Sequence, residues 1–202
     1  MNKLKDNTMN FIIKESTSLF LKNSITNVTM SDIAKQVGIG EATLYRYFKK
    51  KQNIVIKVSA NLAKEIFEYY LDFDDKLSGA RQLEAFYMVF PKLFASHPDY
   101  FKFVNQLDAY LLMEADTGLR EYEDRIKQFY DVYSKAYEKG RYDGTVYEIE
   151  DLRTFYYATT HSLLNLCKYL SKPTVLLQDQ EIDGKKEIEQ LVKLILNALK
   201  NN

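Results

Sequence analysis

The side chains best suited to contact a nucleic acid lie close together in the N-terminal quarter of this 202-residue chain. A hydroxyl, two phenols and a guanidinium fall within five consecutive positions, on Thr43, Tyr45, Arg46 and Tyr47. A guanidinium can bond both acceptors of a guanine, and the methyl group of a threonine can contact that of thymine. These residue types predict DNA binding, if one structural element presents them on the same side.

The residues before this run predict a short helix followed by a sharp turn. Thr29 and Asp32 have the spacing of an N-cap and its reciprocal acceptor. One apolar helix face follows, formed by Ile33, Ala34 and Val37. Gly38 can then take the left-handed conformation that ends a helix.

A second helix would carry the polar run. Gly40 can cap its start, although less well than serine, and Leu44 and Phe48 have the four-residue spacing of a buried stripe. The polar side chains between them are left facing outward. The stretch from Thr29 to Phe48 therefore predicts a helix-turn-helix whose second helix can enter the major groove of DNA.

At these positions the sequence resembles the TetR family of one-component transcriptional regulators. The matching residues are Thr29, Asp32, Ile33, Ala34, Gly38, Thr43, Leu44, Tyr45, Tyr47, Phe48 and Lys51. The resemblance is close over about residues 17–56 and otherwise rests on length and an all-helical pattern. It implies DNA contacts from nine residues: Thr29, Gly40, Glu41, Ala42, Thr43, Tyr45, Arg46, Tyr47 and Lys51.

Within this set, the family's pattern assigns phosphate contacts to Thr29, Tyr45, Tyr47 and Lys51, while the first turn of the second helix would read bases. The sequence departs from the pattern at two positions. Gly40 replaces the usual serine and lacks its hydroxyl. Glu41 replaces a basic or small residue, and it can either accept from a cytosine amine or only favour the helix N-terminus electrostatically.

Charge is distributed unevenly along the chain, although the net charge is +0. Residues 1–60 contain ten basic and four acidic residues, a net charge of +6, so the remainder carries −6. A basic N-terminal part on an acidic body is typical of a nucleic-acid reader joined to a part that avoids DNA. Alone, this distribution fits a solvated surface equally well; together with the helix-turn-helix, it favours DNA.

Helical spacing and turn residues predict an all-α chain of about nine helices. A three-helix domain over residues 1–60 would be linked by a long fourth helix to a C-terminal effector-binding and dimerisation domain over residues 61–202. The helices outside the helix-turn-helix are predicted at residues 6–22, 49–71, 80–96, 100–113, 119–139, 148–170 and 185–199, with a turn at residues 116–118.

The resemblance implies a pocket for a small apolar or aromatic effector inside the body. Its predicted lining is Phe90, Phe94, Phe103, Asp108, Tyr110, Phe129, Tyr133, Tyr157 and His161, with Glu114 and Asn165 as further polar candidates. Aromatic residues at helical spacing are also typical of an ordinary core. The resemblance further implies a homodimer through the last two helices, with Leu152, Phe155, Tyr156, Leu163, Leu191 and Ile195 at its interface.

Other classes of protein have little support in the sequence. No apolar run approaches the roughly 20 residues of a membrane-spanning helix, there is no leader-like start, and one cysteine fits a reducing compartment; we expect a cytoplasmic protein. No catalytic, cofactor or metal-binding motif occurs, and Cys167, in an apolar helix, is predicted to be core rather than a redox sensor.

The predicted function is a DNA-binding transcriptional regulator, a repressor that binds a palindromic operator as a homodimer and is released by a small molecule. Two alternatives stay open. One is a protein of the same fold without an effector, acting constitutively or as a structural DNA-binding protein. The other is a helical module that binds a protein partner.

Overall fold

The computed structural model describes residues 3–113, 119–172 and 181–201. Their regular structure is helical, apart from one isolated antiparallel bridge between Val146 and Lys200. The helices are α1 (Lys3–Lys22), α2 (Met30–Val37), α3 (Glu41–Phe48), α4 (Lys51–Tyr70), α5 (Gly79–Tyr87), α6 (Val89–Ser96), α7 (Pro98–Met113), α8 (Arg120–Tyr142), α9 (Leu152–Leu170) and α10 (Gly184–Leu199). The predicted all-α fold with an N-terminal helix-turn-helix is confirmed. Glu114 and the turn predicted at residues 116–118 lie outside the described residues.

The chain forms two compact units. The first comprises Met1–Glu65 and Lys102–Arg125, and the second comprises Ile66–Phe101 and Ile126–Asn202. Most of α7 and the first six residues of α8 thus belong with the helix-turn-helix, although they are distant from it in sequence. In the described part of the chain, no helix is both long and apolar enough to cross a membrane.

The helix predicted over residues 80–96 is divided into two helices, α5 and α6, which meet at Met88. Pro91 causes the division, because it has no N–H to donate to the carbonyl of Tyr87, four residues earlier. Its ring would also clash with that carbonyl in a continuous helix.

The helix predicted from residue 148 begins later, at Leu152. The carboxylate of Asp151 accepts a hydrogen bond of 3.0 Å from the backbone N–H of Thr154, which makes Asp151 the N-cap. Before the cap, the backbone N–H of Tyr147 donates to the carbonyl of Leu199 at 2.8 Å. Residues 145–147 therefore pair with the C-terminal end of α10 instead of extending α9.

Candidate nucleic-acid interface

The start of α2 is fixed by a complete capping box. The backbone N–H of Asp32 donates to Thr29 Oγ1 at 3.1 Å, and the backbone N–H of Thr29 donates to Asp32 Oδ2 at 2.8 Å. Hydrogen bonds from the Thr29 side chain and backbone lower the pKa of Asp32, so its carboxylate stays ionised at neutral pH. The interaction requires only local spacing, which is why the sequence could predict it.

The turn between α2 and α3 is equally well defined. Gly38 has φ 75° and ψ 31°, the left-handed conformation that glycine adopts without steric cost. The N–H of Ile39 donates to the Ala34 carbonyl at 3.0 Å and closes the end of α2. Gly40 then caps α3 with its backbone extended and without a side-chain hydrogen bond.

Helix α3 has one buried side and one accessible side. Leu44 and Phe48 are buried at 0% and 2% exposure, which fixes the rotation of the helix. Its opposite side presents the predicted contact residues: Glu41, Ala42, Tyr45 and Arg46 are exposed, and Thr43 and Tyr47 are half-buried. At 1.5 Å per residue, an eight-residue helix is about 12 Å long. A helix of these dimensions can lie in the major groove and present its exposed side to base edges.

Two side chains of α3 have geometry that suits binding to DNA. The guanidinium carbon of Arg46 lies 5.9 Å from the ring centroid of Tyr47, which restricts the direction in which the arginine extends. Tyr45 is 47% exposed, so its hydroxyl is accessible to a phosphate. Thr29 is also exposed, but its hydroxyl already serves the cap.

Lys51 has a structural role that the sequence did not reveal. Its Nζ donates to the carbonyls of Ile25 and Val28, each at 2.9 Å, and lies 5.2 Å from the ring centroid of Tyr110. The phosphate contact assigned to Lys51 stays a prediction, and the lysine also holds the loop between α1 and α2.

Residues 12–58 match the sequence model of the family described as bacterial regulatory proteins, tetR family. The helix-turn-helix segment of this chain is therefore of the tetR type. This match supports a DNA-binding transcriptional regulator. No curated protein matches the sequence.

Solved structures of transcriptional regulators share the fold of the whole chain. FadR from Bacillus subtilis, in complex with stearoyl-CoA, has a TM-score of 0.72 and 20% identity over 93% of this chain and 97% of that one. The ketosteroid regulator KstR2 of Mycobacterium tuberculosis has a TM-score of 0.66 and 17% identity over 100% and 97%. A putative tetR-family regulator from Mesorhizobium loti has a TM-score of 0.69 and 12% identity over 100% of each chain.

The nine predicted effector residues are distributed over both units, and the effector site stays a prediction. Phe103 and Tyr110 are buried in the first unit, where Asp108 is exposed. In the second unit Phe90, Phe94 and Phe129 are half-buried, Tyr133 is fully buried, and Tyr157 and His161 are exposed. A cavity of about 350 Å³ in the first unit is lined by none of the nine; its walls are Met9, Tyr47, Phe48, Lys49, Asn53, Ile56, Lys57 and Glu121.

A buried hydroxyl network in the second unit was missed by the sequence analysis. The hydroxyl of Tyr87 donates to that of Tyr133 at 3.1 Å and lies 2.8 Å from Thr159 Oγ1. The Tyr133 ring also packs against Phe86 and Tyr156, with centroids 5.2 and 5.0 Å away. Burial raises the pKa of both Tyr87 and Tyr133, so both phenols stay neutral. In the sequence, this network could have been inferred from Tyr87, Tyr133 and Thr159, each of which places a hydroxyl on an otherwise apolar helix face.

The predicted dimer residues divide by exposure. Tyr156, Leu163 and Ile195 are at most 7% exposed and belong to the core of the second unit, while Leu152, Phe155 and Leu191 are half-buried. The apolar stripes of α9 and α10 pack largely inside the protomer, where their burial removes apolar surface from water. Residues on the accessible sides of these helices would have to form the main contacts of a dimer.

We expect Cys167 to be unreactive in the folded protein. The side chain is 0% exposed, and burial raises the pKa of its thiol to about 12, so the reactive thiolate is nearly absent at neutral pH. A colorimetric disulfide reagent should label the thiol only after urea unfolds the protein, with one equivalent bound per chain. Rapid labelling of the folded protein would contradict this and support a redox-sensing role for Cys167.

Proposed function

We propose that this regulator binds a palindromic operator as a homodimer and represses transcription until a small molecule binds its body. The observation that carries the proposal is the accessible side of α3, held in place by the capped α2 and the glycine turn. Because its target is DNA, the protein would act in the cytoplasm. Within this proposal it has no catalytic role and requires no metal or cofactor.

The accessible sides of α9 and α10 support the homodimer. Most exposed residues of these helices are uncharged, among them Tyr157, Ala158, His161, Ser162, Asn165, Gln190, Leu194, Asn197 and Ala198. The exposed charged residues of the two helices are four basic ones, Arg153, Lys185, Lys186 and Lys193. Leu194 is 59% exposed, although a leucine gains from burial. A surface depleted of charge suits an interface. A twofold dimer would place two α3 helices about 34–36 Å apart, one turn of DNA, and so require a palindromic operator.

A small-molecule effector is supported by the aromatic core of the second unit and by the fold. FadR from Bacillus subtilis, which has this fold, was solved with stearoyl-CoA, so the architecture can hold a ligand. The proposed release from DNA is a linkage effect, in which the effector favours a form of the dimer whose two α3 helices are wrongly spaced for the operator. By the same linkage, DNA weakens effector binding by the factor by which the effector weakens DNA binding.

The test is the affinity of the wild-type protein for DNA flanking its own gene, measured from 50 to 200 mM salt. We expect one palindrome to bind specifically, with affinity falling by roughly 10³-fold or more across this range, since several phosphates are neutralised. Weak binding without sequence preference would contradict the proposed operator and favour a structural DNA-binding role.

Two substitutions separate base reading from phosphate binding. Arg46→Ala should weaken binding by roughly 5- to 150-fold for each half-site, and it should relax preference at one base pair of each half-site. Tyr45→Phe is the matched control, because it removes one hydroxyl per protomer and should weaken all operator variants equally, by roughly 3- to 10-fold for each half-site. Equal weakening of every operator variant by Arg46→Ala would show that Arg46 does not read a base.

A further inference from the structure

The loop between α1 and α2 depends on a side chain from a distant part of the chain. The side chain of Ile25 is 0% exposed, and its backbone N–H donates to Gln106 Oε1 at 2.8 Å. Gln106 lies on α7, 81 residues further along the chain. An N–H in a loop has no helical partner, and a buried one costs free energy if it is unpaired. Gln106 supplies the acceptor that the loop itself does not.

The carbonyls of the same loop are held by a second side chain. Lys51 Nζ donates to the carbonyls of Ile25 and Val28, each at 2.9 Å. The ammonium also lies 5.2 Å from the ring centroid of Tyr110, which is one turn after Gln106 on α7. The backbone N–H and carbonyl of Ile25 are therefore both bonded to side chains. One of these side chains, Gln106, lies on α7, and the other, Lys51, packs against Tyr110 on α7.

These contacts continue directly into the capping box of α2. The peptide group between Val28 and Thr29 is held at both of its polar atoms. Its carbonyl accepts from Lys51, and its N–H, that of Thr29, donates to Asp32 Oδ2 at 2.8 Å. Any shift of the loop would move Thr29, and Thr29 determines where α2 begins.

We infer that Gln106 is a positioning residue for the helix-turn-helix: it fixes Ile25 and, through the loop, the N-terminus of α2. Tyr110 assists by packing against the Lys51 ammonium. Residues 102–113 of α7 thus help to position the helix-turn-helix, although they lie outside it. The consequence for DNA rests on the proposed operator binding; the effect on α2 does not.

The experiment compares Gln106→Met with Gln106→Glu in the full-length protein. Methionine keeps the length of the side chain but has no comparable acceptor, whereas glutamate keeps an oxygen that can accept from Ile25. Amide hydrogen exchange is measured without DNA. In Gln106→Met we expect exchange at Ile25 and in the first turn of α2 to accelerate roughly 10-fold, while α9 and α10 stay unchanged. Gln106→Glu should restore slow exchange.

Ala109→Ser, an exposed change on the same helix, is the control for nonspecific effects on α7. Operator affinity is measured in parallel, and Gln106→Met should weaken it roughly 5-fold or more while the melting curve of the body is retained. Unchanged exchange at residues 25–33 in Gln106→Met would overturn the inference, and so would faster exchange there with undiminished operator affinity. If the wild-type protein binds no operator, the proposed function fails, and exchange alone decides whether Gln106 positions α2.

Discussion

Gly79→Ala should destabilise the second unit by roughly 3 kcal/mol or more, at or above the usual range for overpacking. A Cβ at this position would lie 2.0 Å from the backbone nitrogen of Gly140 and 2.2 Å from its Cα. These are backbone atoms of α8, so no side-chain rotation can relieve the clash. The start of α5 would have to move away from α8, and the hydrogen bond of 2.8 Å from the Gly79 N–H to Asp143 Oδ2 would be strained or lost.

Thermal and urea unfolding, followed by circular dichroism, measure this effect. For a chain of about 200 residues, 3 kcal/mol corresponds to a fall in Tm of roughly 6–12 °C. Gly184→Ala is the matched control, because its Cβ would meet Leu170 Cδ1 at 3.4 Å and Phe94 at 3.5 Å, ordinary contact distances. It should change stability by less than about 1 kcal/mol. Equal stability of Gly79→Ala and the wild type would mean that α5 and α8 are not in backbone contact.

The close approach at Gly79 illustrates which features a single sequence could not predict. Glycine at a helix start is ordinary, and nothing near residue 79 indicates a partner at residue 140. The same holds for Gln106 and Ile25. Such contacts depend on how distant segments pack, so their signals are not local.

The helix-turn-helix could be predicted because its determinants are local. The spacing of Thr29 and Asp32 dictates a capping box, and a glycine placed directly after the apolar face of α2 permits the left-handed turn. Both are present in the structure. Two helix boundaries were predicted wrongly although a local signal was present. Pro91 divides the helix predicted over residues 80–96, and Asp151 caps α9 later than its predicted start.

The predicted dimer interface shows a different limit. Apolar spacing in α9 and α10 identifies residues that must be buried, but it does not say whether the protomer or a partner buries them. In the structure, Leu163 and Ile195 pack inside the protomer. Exposure is therefore needed to locate the surface on which a second copy could bind.

Leu194→Glu should convert the proposed homodimer into monomers. Leu194 is 59% exposed on α10, among the mainly uncharged exposed residues of α9 and α10. In a twofold interface each copy would bring its own carboxylate into the contact, and burying an unpaired charge costs several kcal/mol. Sedimentation or light scattering at micromolar concentration should show a mass near 23.7 kDa instead of twice that value, with the helical content unchanged.

Operator binding should then fall by roughly 10²- to 10⁴-fold, because a monomer binds one half-site and loses the effective concentration provided by its partner. Binding to an isolated half-site should be unaffected, since α3 is unaltered. Leu112→Glu is the control, because this leucine is 85% exposed and lies on α7, which is not part of the proposed interface. This substitution should leave the dimer intact. A dimeric Leu194→Glu protein with full operator affinity would place the interface elsewhere. Monomers from both variants would indicate a general loss of folding instead of a specific interface.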